Sequence, residues 1–244
     1  LVGQGQSPHT FEPTPRQLAA LAESDVYFSI GLPFEERIVE KLSRMPSAPP
    51  VVDTSKEVER IPLTGGHRHT GGRGLSDPHT WLDPDRAAIQ AKSMCEKLVE
   101  LDPDHAGVFR ENLAELRADL ETLDRELAEA LAPLRGEKIY VFHAAFGYLA
   151  DAYGLTQVAV RSGGSEPGPR ELATLIEAAS EEGVRAIFVQ PQFSTRSAEI
   201  LASEVGAVVV PIDPLAEDYM ENLRSIVEAV VSEQAVSAGE SGKN

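Results

Sequence analysis

Cysteine and long apolar runs are the features this sequence has least of. The 244 residues include one cysteine, Cys95. The chain therefore forms no internal disulfide bond and builds no metal cage from thiolates. No apolar run approaches the roughly eighteen residues that a membrane-spanning helix needs. A single cysteine leaves the redox compartment open, so the chemistry must come from other side chains.

Positive charge is also scarce. The 22 lysines and arginines face 39 aspartates and glutamates, which gives a formal net charge of -17. An acidic surface repels the phosphates of nucleic acids and is compatible with a cationic ligand. The apolar share of 42% and the charged share of 25% are typical of globular proteins. We therefore expect no nucleic-acid partner.

The first residue is not methionine, and no signal peptide is visible. The chain opens on Leu1-Val2-Gly3, which we interpret as the start of a processed or truncated fragment. The missing targeting segment is therefore uninformative.

Strands and helices alternate in the sequence pattern, which is typical of parallel α/β sheets. Strands are expected at 25–30, 51–53, 139–142, 157–160, 186–189 and 207–210. Helices are expected after Thr14 and at 34–43, 84–101, 144–153, 169–182, 195–205 and 217–236.

One long helix interrupts this alternation. Leucines recur every three or four residues from Leu113 to Leu134, which predicts a single apolar stripe along a helix of about 45 Å. We predict an α/β fold of two lobes, each with a mainly parallel sheet flanked by helices. The expected boundaries are a first lobe at 1–103, a rigid connecting helix at 104–136 and a second lobe at 137–244.

A short phrase occurs twice in the first half of the chain. It reads Pro8-His9-Thr10-Phe11 near the start and Pro78-His79-Thr80-Trp81 later. Proline restricts its own φ and the conformation of the residue before it, so both histidines have little backbone freedom. Such histidines are candidates for ligands, although turn histidines with similar neighbours remain an alternative.

Two further polar residues follow predicted strands of the second lobe. His143 comes directly after one strand, and Asp213 follows another between Ile212 and Pro214. Ligands of open α/β sheets bind at the carboxyl ends of the strands. His9 and His79 are seventy positions apart, and so are His143 and Asp213, as two similar lobes would give.

Three imidazoles and one carboxylate form a complete set of ligands for a divalent metal. Zinc accepts this set in tetrahedral geometry. Taken singly, each residue would more often have a structural role. The predicted metal ligands are His9, His79, His143 and Asp213.

The other candidates are weaker. His105 lies in the first turn of the long helix, where a solvated or capping role fits better. Glu166 lies in a glycine-containing loop, and Glu12 is better placed to orient His9. His67 and His69 lie in a glycine-rich stretch, for which metal capture and an inert linker are equally open.

Five motifs together resemble those of the zinc and manganese solute-binding proteins of bacterial ABC importers. They are Ser-Pro-His9-Thr-Phe-Glu-Pro, Asp-Pro-His79-Thr-Trp-Leu-Asp-Pro, His143-Ala-Ala-Phe-Gly-Tyr, Glu166-Pro-Gly-Pro-Arg-Glu-Leu and Pro-Ile-Asp213-Pro-Leu. The resemblance covers essentially the whole chain in order. It implies a metal held between two lobes and delivered to a membrane permease. It also implies a strand and a helix ahead of Leu1.

The resemblance further implies a location and a metal. Such receptors are periplasmic or lipid-anchored on the outer face of the cell membrane, and we expect a monomer. Manganese receptors commonly place a carboxylate where this chain has His143, and imidazole suits Zn²⁺ better than Mn²⁺.

Three other functions stay open on the sequence. A manganese receptor of the same type is one. A second is a zinc hydrolase with a three-histidine site in which Asp213 acts as base, although no His-Glu-x-x-His phrase supports it. A third is a surface adhesin with a structural metal.

Overall fold

The computed structural model describes residues 1–3, 6–46, 48–63, 76–161 and 167–240. Its helices are α1 (Pro15–Ala22), α2 (Pro33–Ser43), α3 (Pro84–Leu101), α4 (Ala106–Leu131), α5 (Gly147–Tyr153), α6 (Pro169–Glu181), α7 (Arg196–Val205) and α8 (Tyr219–Glu240). Its strands are β1 (Tyr27–Ser29), β2 (Val51–Asp53), β3 (Lys138–Val141), β4 (Thr156–Ala159), β5 (Ala186–Val189) and β6 (Val208–Pro211). The predicted α/β class is confirmed.

The chain divides into two compact units. The first contains Leu1–Glu59 and Asp83–Thr122, and the second contains Arg60–Leu82 and Leu123–Asn244. This division differs from the predicted lobes in two respects. The segment Arg60–Leu82, which carries His79, belongs to the second unit, and the boundary falls inside α4.

The first unit contains a parallel pair of strands, β1 and β2. Its core is the buried cluster Tyr27, Ile38 and Leu42. The buried carboxylate of Glu35 accepts hydrogen bonds from the backbone N of Leu32 at 2.8 Å and from the Tyr27 hydroxyl at 3.1 Å. Burial and then the charge of Glu35 raise the pKa of Tyr27. Glu35 thus satisfies backbone donors at the start of α2.

The second unit is built on a four-stranded parallel sheet in the order β4-β3-β5-β6. Side chains alternate between its two faces, as the period of a strand requires. Ile139 and Val141 of β3 join a core with residues of α4, α5 and α8. Tyr140 and Phe142 join a second core with residues of α6 and α7. The sheet is therefore covered by helices on both faces.

The strand order places a topological switch between β3 and β5. The chain moves from β3 to β4 on one side and then returns to β5 on the other side of β3. Crevices of this kind, at the carboxyl ends of diverging strands, are where open α/β sheets bind ligands. His143 follows β3 and Gln190 follows β5.

The long helix is shorter than predicted. α4 covers Ala106–Leu131, and 3-10 turns at Pro103–His105 and Ala132–Leu134 flank it. Pro133 has no N–H to continue the α-helical hydrogen bonds, which explains the tightened end. At about 1.5 Å per residue the helix is roughly 39 Å long.

The helix expected from Ala144 begins three residues later, at Gly147. The Oε1 atom of buried Gln157 accepts a hydrogen bond from the backbone N of Phe146 at 2.7 Å. Because a side chain in β4 satisfies this amide, the residues after His143 form a loop and not a helical turn.

Among the described residues, no helix combines the length and the apolar composition needed to cross a lipid bilayer.

Candidate metal centre

The buried ring of His79 is held in one orientation by Asp77. The Oδ1 atom of Asp77 lies 2.7 Å from His79 Nδ1 and accepts a hydrogen bond from His79 N at 2.9 Å. A carboxylate at this distance requires a proton on Nδ1, so neutral His79 presents a lone pair at Nε2. Metal-binding histidines are commonly oriented by such a carboxylate.

Asp77 is itself completely buried. Its backbone O accepts a hydrogen bond from the Tyr148 hydroxyl at 3.0 Å. A Cβ atom added to Gly147 would lie 2.3 Å from Asp77 Oδ2. The backbone at the start of α5 therefore lies so close to the carboxylate of Asp77 that only glycine fits at position 147.

His143 is placed by the crevice between β3 and β5. Its backbone N donates to Gln190 Oε1 at 2.9 Å, and the Gln190 side chain is completely buried. The ring packs against Phe193, with ring centroids 4.8 Å apart. The loop after β5 thus fixes both the backbone and the ring of His143.

His79 and His143 are brought together by the fold of the second unit. Their Nε2 atoms face each other at 3.3 Å. Two nitrogens that bind one tetrahedral zinc at about 2.0–2.1 Å are separated by about 3.3–3.4 Å. A direct hydrogen bond at this distance would need a proton on one Nε2. The observed separation fits such a hydrogen bond, and it equally fits two nitrogens that share one zinc ion.

Asp213 lies in a turn that several side chains hold. Its Oδ1 atom accepts hydrogen bonds from Gln192 Nε2 at 2.7 Å and from the backbone N of Leu215 at 2.9 Å. Asn222 Nδ2 donates to the backbone O of Asp213 at 2.7 Å. Among the described residues, the Asp213 carboxylate is not one of the groups whose ligand atoms lie within 4.8 Å of the ring nitrogens of both His79 and His143.

Trp81 connects the turn of Asp213 with His79. Its Nε1 atom donates to the backbone O of Pro214 at 2.9 Å, and its ring meets the ring of His79 edge to face with centroids 5.4 Å apart. The hydroxyl of Tyr219 donates to the backbone O of Trp81 at 2.7 Å. A movement of the Asp213 turn would therefore displace or break the hydrogen bond of Trp81.

His9 lies in the first unit. It is the central residue of a 3-10 turn, Pro8–Thr10, and the Oγ atom of Ser7 accepts a hydrogen bond from its backbone N at 3.3 Å. The residue is exposed. The serine cap adds to the restriction that Pro8 places on the backbone of His9.

The remaining candidates have other partners or are not described. The Nδ1 atom of exposed His105 lies 2.7 Å from Asp102 Oδ2, which agrees with a surface role. Glu12 forms an exposed ion pair with Arg37 at 3.1 Å. The predictions for His67, His69 and Glu166 fall outside the described residues.

Asp77, Gln190 and Gln192 were missed in the sequence. Asp77 stands two residues before His79, a spacing that allows a side chain to reach the next-but-one amide. The two glutamines flank Pro191 directly after β5, at the strand end where ligands are expected. Position after a strand was therefore a usable signal, but nothing in the sequence alone favoured an amide over a charged group there.

A family model matches nearly the whole chain. It is described as ZnuA, the periplasmic component A of a zinc-uptake complex, and it covers residues 1–233. The zinc-binding lipoprotein AdcA of Streptococcus pneumoniae is 29% identical over an alignment of 253 positions, which covers 93% of this chain and 48% of AdcA. The chain thus spans about half the length of AdcA.

Solved structures show the same fold. The crystal structure of ZnuA superposes with a TM-score of 0.88 at 37% identity, covering 96% of this chain and 88% of that one. The laminin-binding protein Lmb of Streptococcus agalactiae, described as bifunctional with adhesin and metal transporting activity, gives a TM-score of 0.82 at 27% identity, covering 95% and 89%. Because the family model covers residues 1–233 of the 244, this chain belongs to the family of the periplasmic component A of zinc-uptake complexes.

Proposed function

We propose that this chain is an extracytoplasmic receptor that binds Zn²⁺ and delivers it to the membrane permease of an ABC importer. The proposed ligands are His9, His79, His143 and Asp213. Family membership makes the chain a binding component and not an enzyme, so the zinc hydrolase considered from the sequence is excluded.

The observation that carries the proposal is the pair of facing imidazoles. His79 and His143 present Nε2 atoms 3.3 Å apart, and Asp77 fixes the ring of His79. This separation matches that of two nitrogens bound to one tetrahedral zinc ion. Imidazole ligands also favour zinc over manganese, which prefers oxygen ligands.

His9 and Asp213 complete the proposed set. His9 is exposed on a turn whose backbone is fixed by Pro8 and Ser7. Asp213 follows β6, next to β5 in the sheet, and contributes the negative charge that the histidines lack. A carboxylate beside three imidazoles lowers the net charge of the bound zinc site to +1 and so stabilises it.

The proposed location is periplasmic or lipid-anchored on the outer face of the cell membrane, and the proposed active form is the monomer. The family description as periplasmic and the description of AdcA as a lipoprotein support this location. Delivery to a permease is proposed from the family's role in zinc uptake.

Zinc titration of chelator-treated protein tests the binding site. His79→Ala and His143→Ala should each weaken zinc binding at least about 100-fold, since each removes one direct ligand. Trp81, the only tryptophan of the chain, should report binding by its fluorescence because its ring contacts His79. His105→Ala is the matched control, because it removes a surface imidazole that is paired with Asp102. Wild-type affinity in both ligand variants would contradict the proposal.

Delivery needs a separate experiment. A bacterial strain without its own periplasmic zinc-binding component should grow under zinc limitation when it produces the wild-type chain together with its cognate permease. The His143→Ala variant should not restore growth. Growth that is equal with both variants would contradict a role in zinc delivery.

A further inference from the structure

The side chain of Gln192 is hydrogen-bonded to the carboxylate of Asp213. Gln192 Nε2 donates to Asp213 Oδ1 at 2.7 Å, and the backbone N of Leu215 donates to the same oxygen at 2.9 Å. A carboxylate oxygen has two lone pairs. Both lone pairs of Oδ1 are therefore used by hydrogen bonds, and Oδ2 is the oxygen that can reach a metal ion.

The two possible orientations of the Gln192 side-chain amide, related by exchanging Nε2 and Oε1, are not equivalent. Its Oε1 atom is buried and has no hydrogen-bond partner among the described residues. Rotating the amide by half a turn would place Oε1 beside Asp213 Oδ1. Both atoms are acceptors and would repel each other. The charge of Asp213 therefore fixes Nε2 toward Oδ1, and the buried Oε1 is left without a partner as the cost.

The backbone around Asp213 is held as well. Asn222 Nδ2 binds the backbone O of Asp213, and Trp81 Nε1 binds the backbone O of Pro214. Pro214 restricts the conformation of Asp213. Since the main chain is held on both sides and Oδ1 has two donors, Oδ2 is the carboxylate oxygen that is left to bind a metal ion.

We propose that Gln192 makes Asp213 a one-oxygen ligand and thereby favours zinc over manganese. This inference rests on the proposed zinc site. Three imidazoles and one carboxylate oxygen give the four ligands that tetrahedral zinc prefers. Manganese prefers six ligand atoms, mostly oxygens. A carboxylate that binds through both of its oxygens supplies two of these six instead of one. The hydrogen bond from Gln192 removes that possibility.

The test compares zinc and manganese affinities in two matched variants. Gln192→Met keeps the length of the side chain and removes the donor. Gln234→Met makes the same change on α8, where Gln234 Nε2 binds the backbone O of Lys138. Dissociation constants for both metals are measured by competition with a chelator, and circular dichroism confirms that each variant is folded.

Gln192→Met should lower the ratio of the manganese to the zinc dissociation constant about tenfold, the effect of one charge-assisted hydrogen bond. Gln234→Met should leave the ratio unchanged. A ratio that stays within about twofold of wild type in folded Gln192→Met would overturn the role of Gln192.

A crystal structure of the zinc-loaded wild-type protein tests the same point without a variant. We expect one oxygen of Asp213 on zinc at about 2.0–2.2 Å and the other on Gln192. Both oxygens on the metal would overturn the inference. Absence of zinc binding by the wild-type protein would overturn the proposed function and this inference with it. Zinc binding with an unchanged metal ratio would overturn only the role of Gln192.

Discussion

Gln190 and His143 are joined across the switch point of the sheet. The backbone N of His143, at the end of β3, donates to Gln190 Oε1, at the end of β5, at 2.9 Å. The hydrogen bond links the two strands at the edge where the sheet opens. The loop that carries His143, a proposed ligand, is thereby anchored to the end of β5.

Replacing Gln190 by leucine should loosen this loop. The part-buried amide of His143 would lose its acceptor, which costs about 1 kcal/mol of unfolding free energy. Urea unfolding measures this loss, and zinc titration should show weaker binding in the same variant. Gln234→Leu, the same change on α8, is the control and should be close to neutral. Equal stability of wild type and Gln190→Leu would show that the hydrogen bond is unimportant.

Asp77 should govern zinc affinity without touching the metal. Asp77→Ala removes the acceptor that fixes the proton on His79 Nδ1, and zinc affinity should fall about 10- to 100-fold. Asp77→Asn keeps an acceptor oxygen and should recover part of this loss. Competition titration of folded variants gives the values.

The matched control for Asp77 is Asp102. Asp102 Oδ2 contacts His105 Nδ1 at 2.7 Å, the same distance as in the Asp77 and His79 pair, but at an exposed site. Asp102→Ala should leave zinc affinity unchanged. If Asp77→Ala and Asp102→Ala bound zinc equally well, orientation of His79 by Asp77 would have no effect on binding.

Two glycines should respond in opposite ways to a methyl group. In Gly147→Ala the new Cβ would lie 2.3 Å from Asp77 Oδ2, so the carboxylate or α5 must shift. We expect a loss of about 1–3 kcal/mol of stability. In Gly107→Ala the new Cβ meets no atom within 4 Å, and alanine should stabilise α4 by about 0.5–1 kcal/mol. Thermal unfolding of both variants measures the difference, and similar shifts in both would contradict a tight contact at Gly147.

Much of the fold could be predicted because the sequence pattern is regular. The strand at 186–189 is apolar at every position and buried at every position, so its prediction was confirmed residue for residue. Helix α3 begins at Pro84 after the capping side chain of Asp83, and its predicted bounds were confirmed for the same reason. Local signals decide such elements.

Contacts between distant residues were not predictable in the same way. The segment Arg60–Leu82 reads as part of the first lobe, yet Trp81 and Asp77 bind backbone and hydroxyl groups of the second unit. These partners lie 133 and 71 positions away in sequence. No local pattern encodes such pairings, because they depend on how the sheet arranges its loops.

In the candidate site, too, local features could be predicted and contacts between distant residues could not. The phrase Pro78-His79-Thr80 and the strand before His143 were enough to select both facing histidines. The side chains that orient them, Asp77 and Gln190, are ordinary polar residues in the sequence. Their role becomes visible only when burial shows that they are 0% exposed and hydrogen-bonded.

The pH dependence of zinc binding should report how many imidazoles bind the metal. Protons and zinc compete for the same Nε2 lone pair, and the ordinary pKa of imidazole is near 6.5. Affinity should therefore be nearly constant well above pH 7 and fall as the pH drops below about 6. Each histidine ligand that must lose a proton adds up to about one decade of affinity per pH unit.

The slope distinguishes the proposed site from one made of carboxylates. Three histidine ligands should give about three decades per unit at acidic pH, and His143→Ala should reduce the slope by about one. His105→Ala, which removes the exposed imidazole beside Asp102, should leave it unchanged. Titrations at constant ionic strength, corrected for the protonation of the competing chelator, give the curves. A flat affinity between neutral and mildly acidic pH would mean that carboxylates, whose ordinary pKa values lie near 4, are the main ligands.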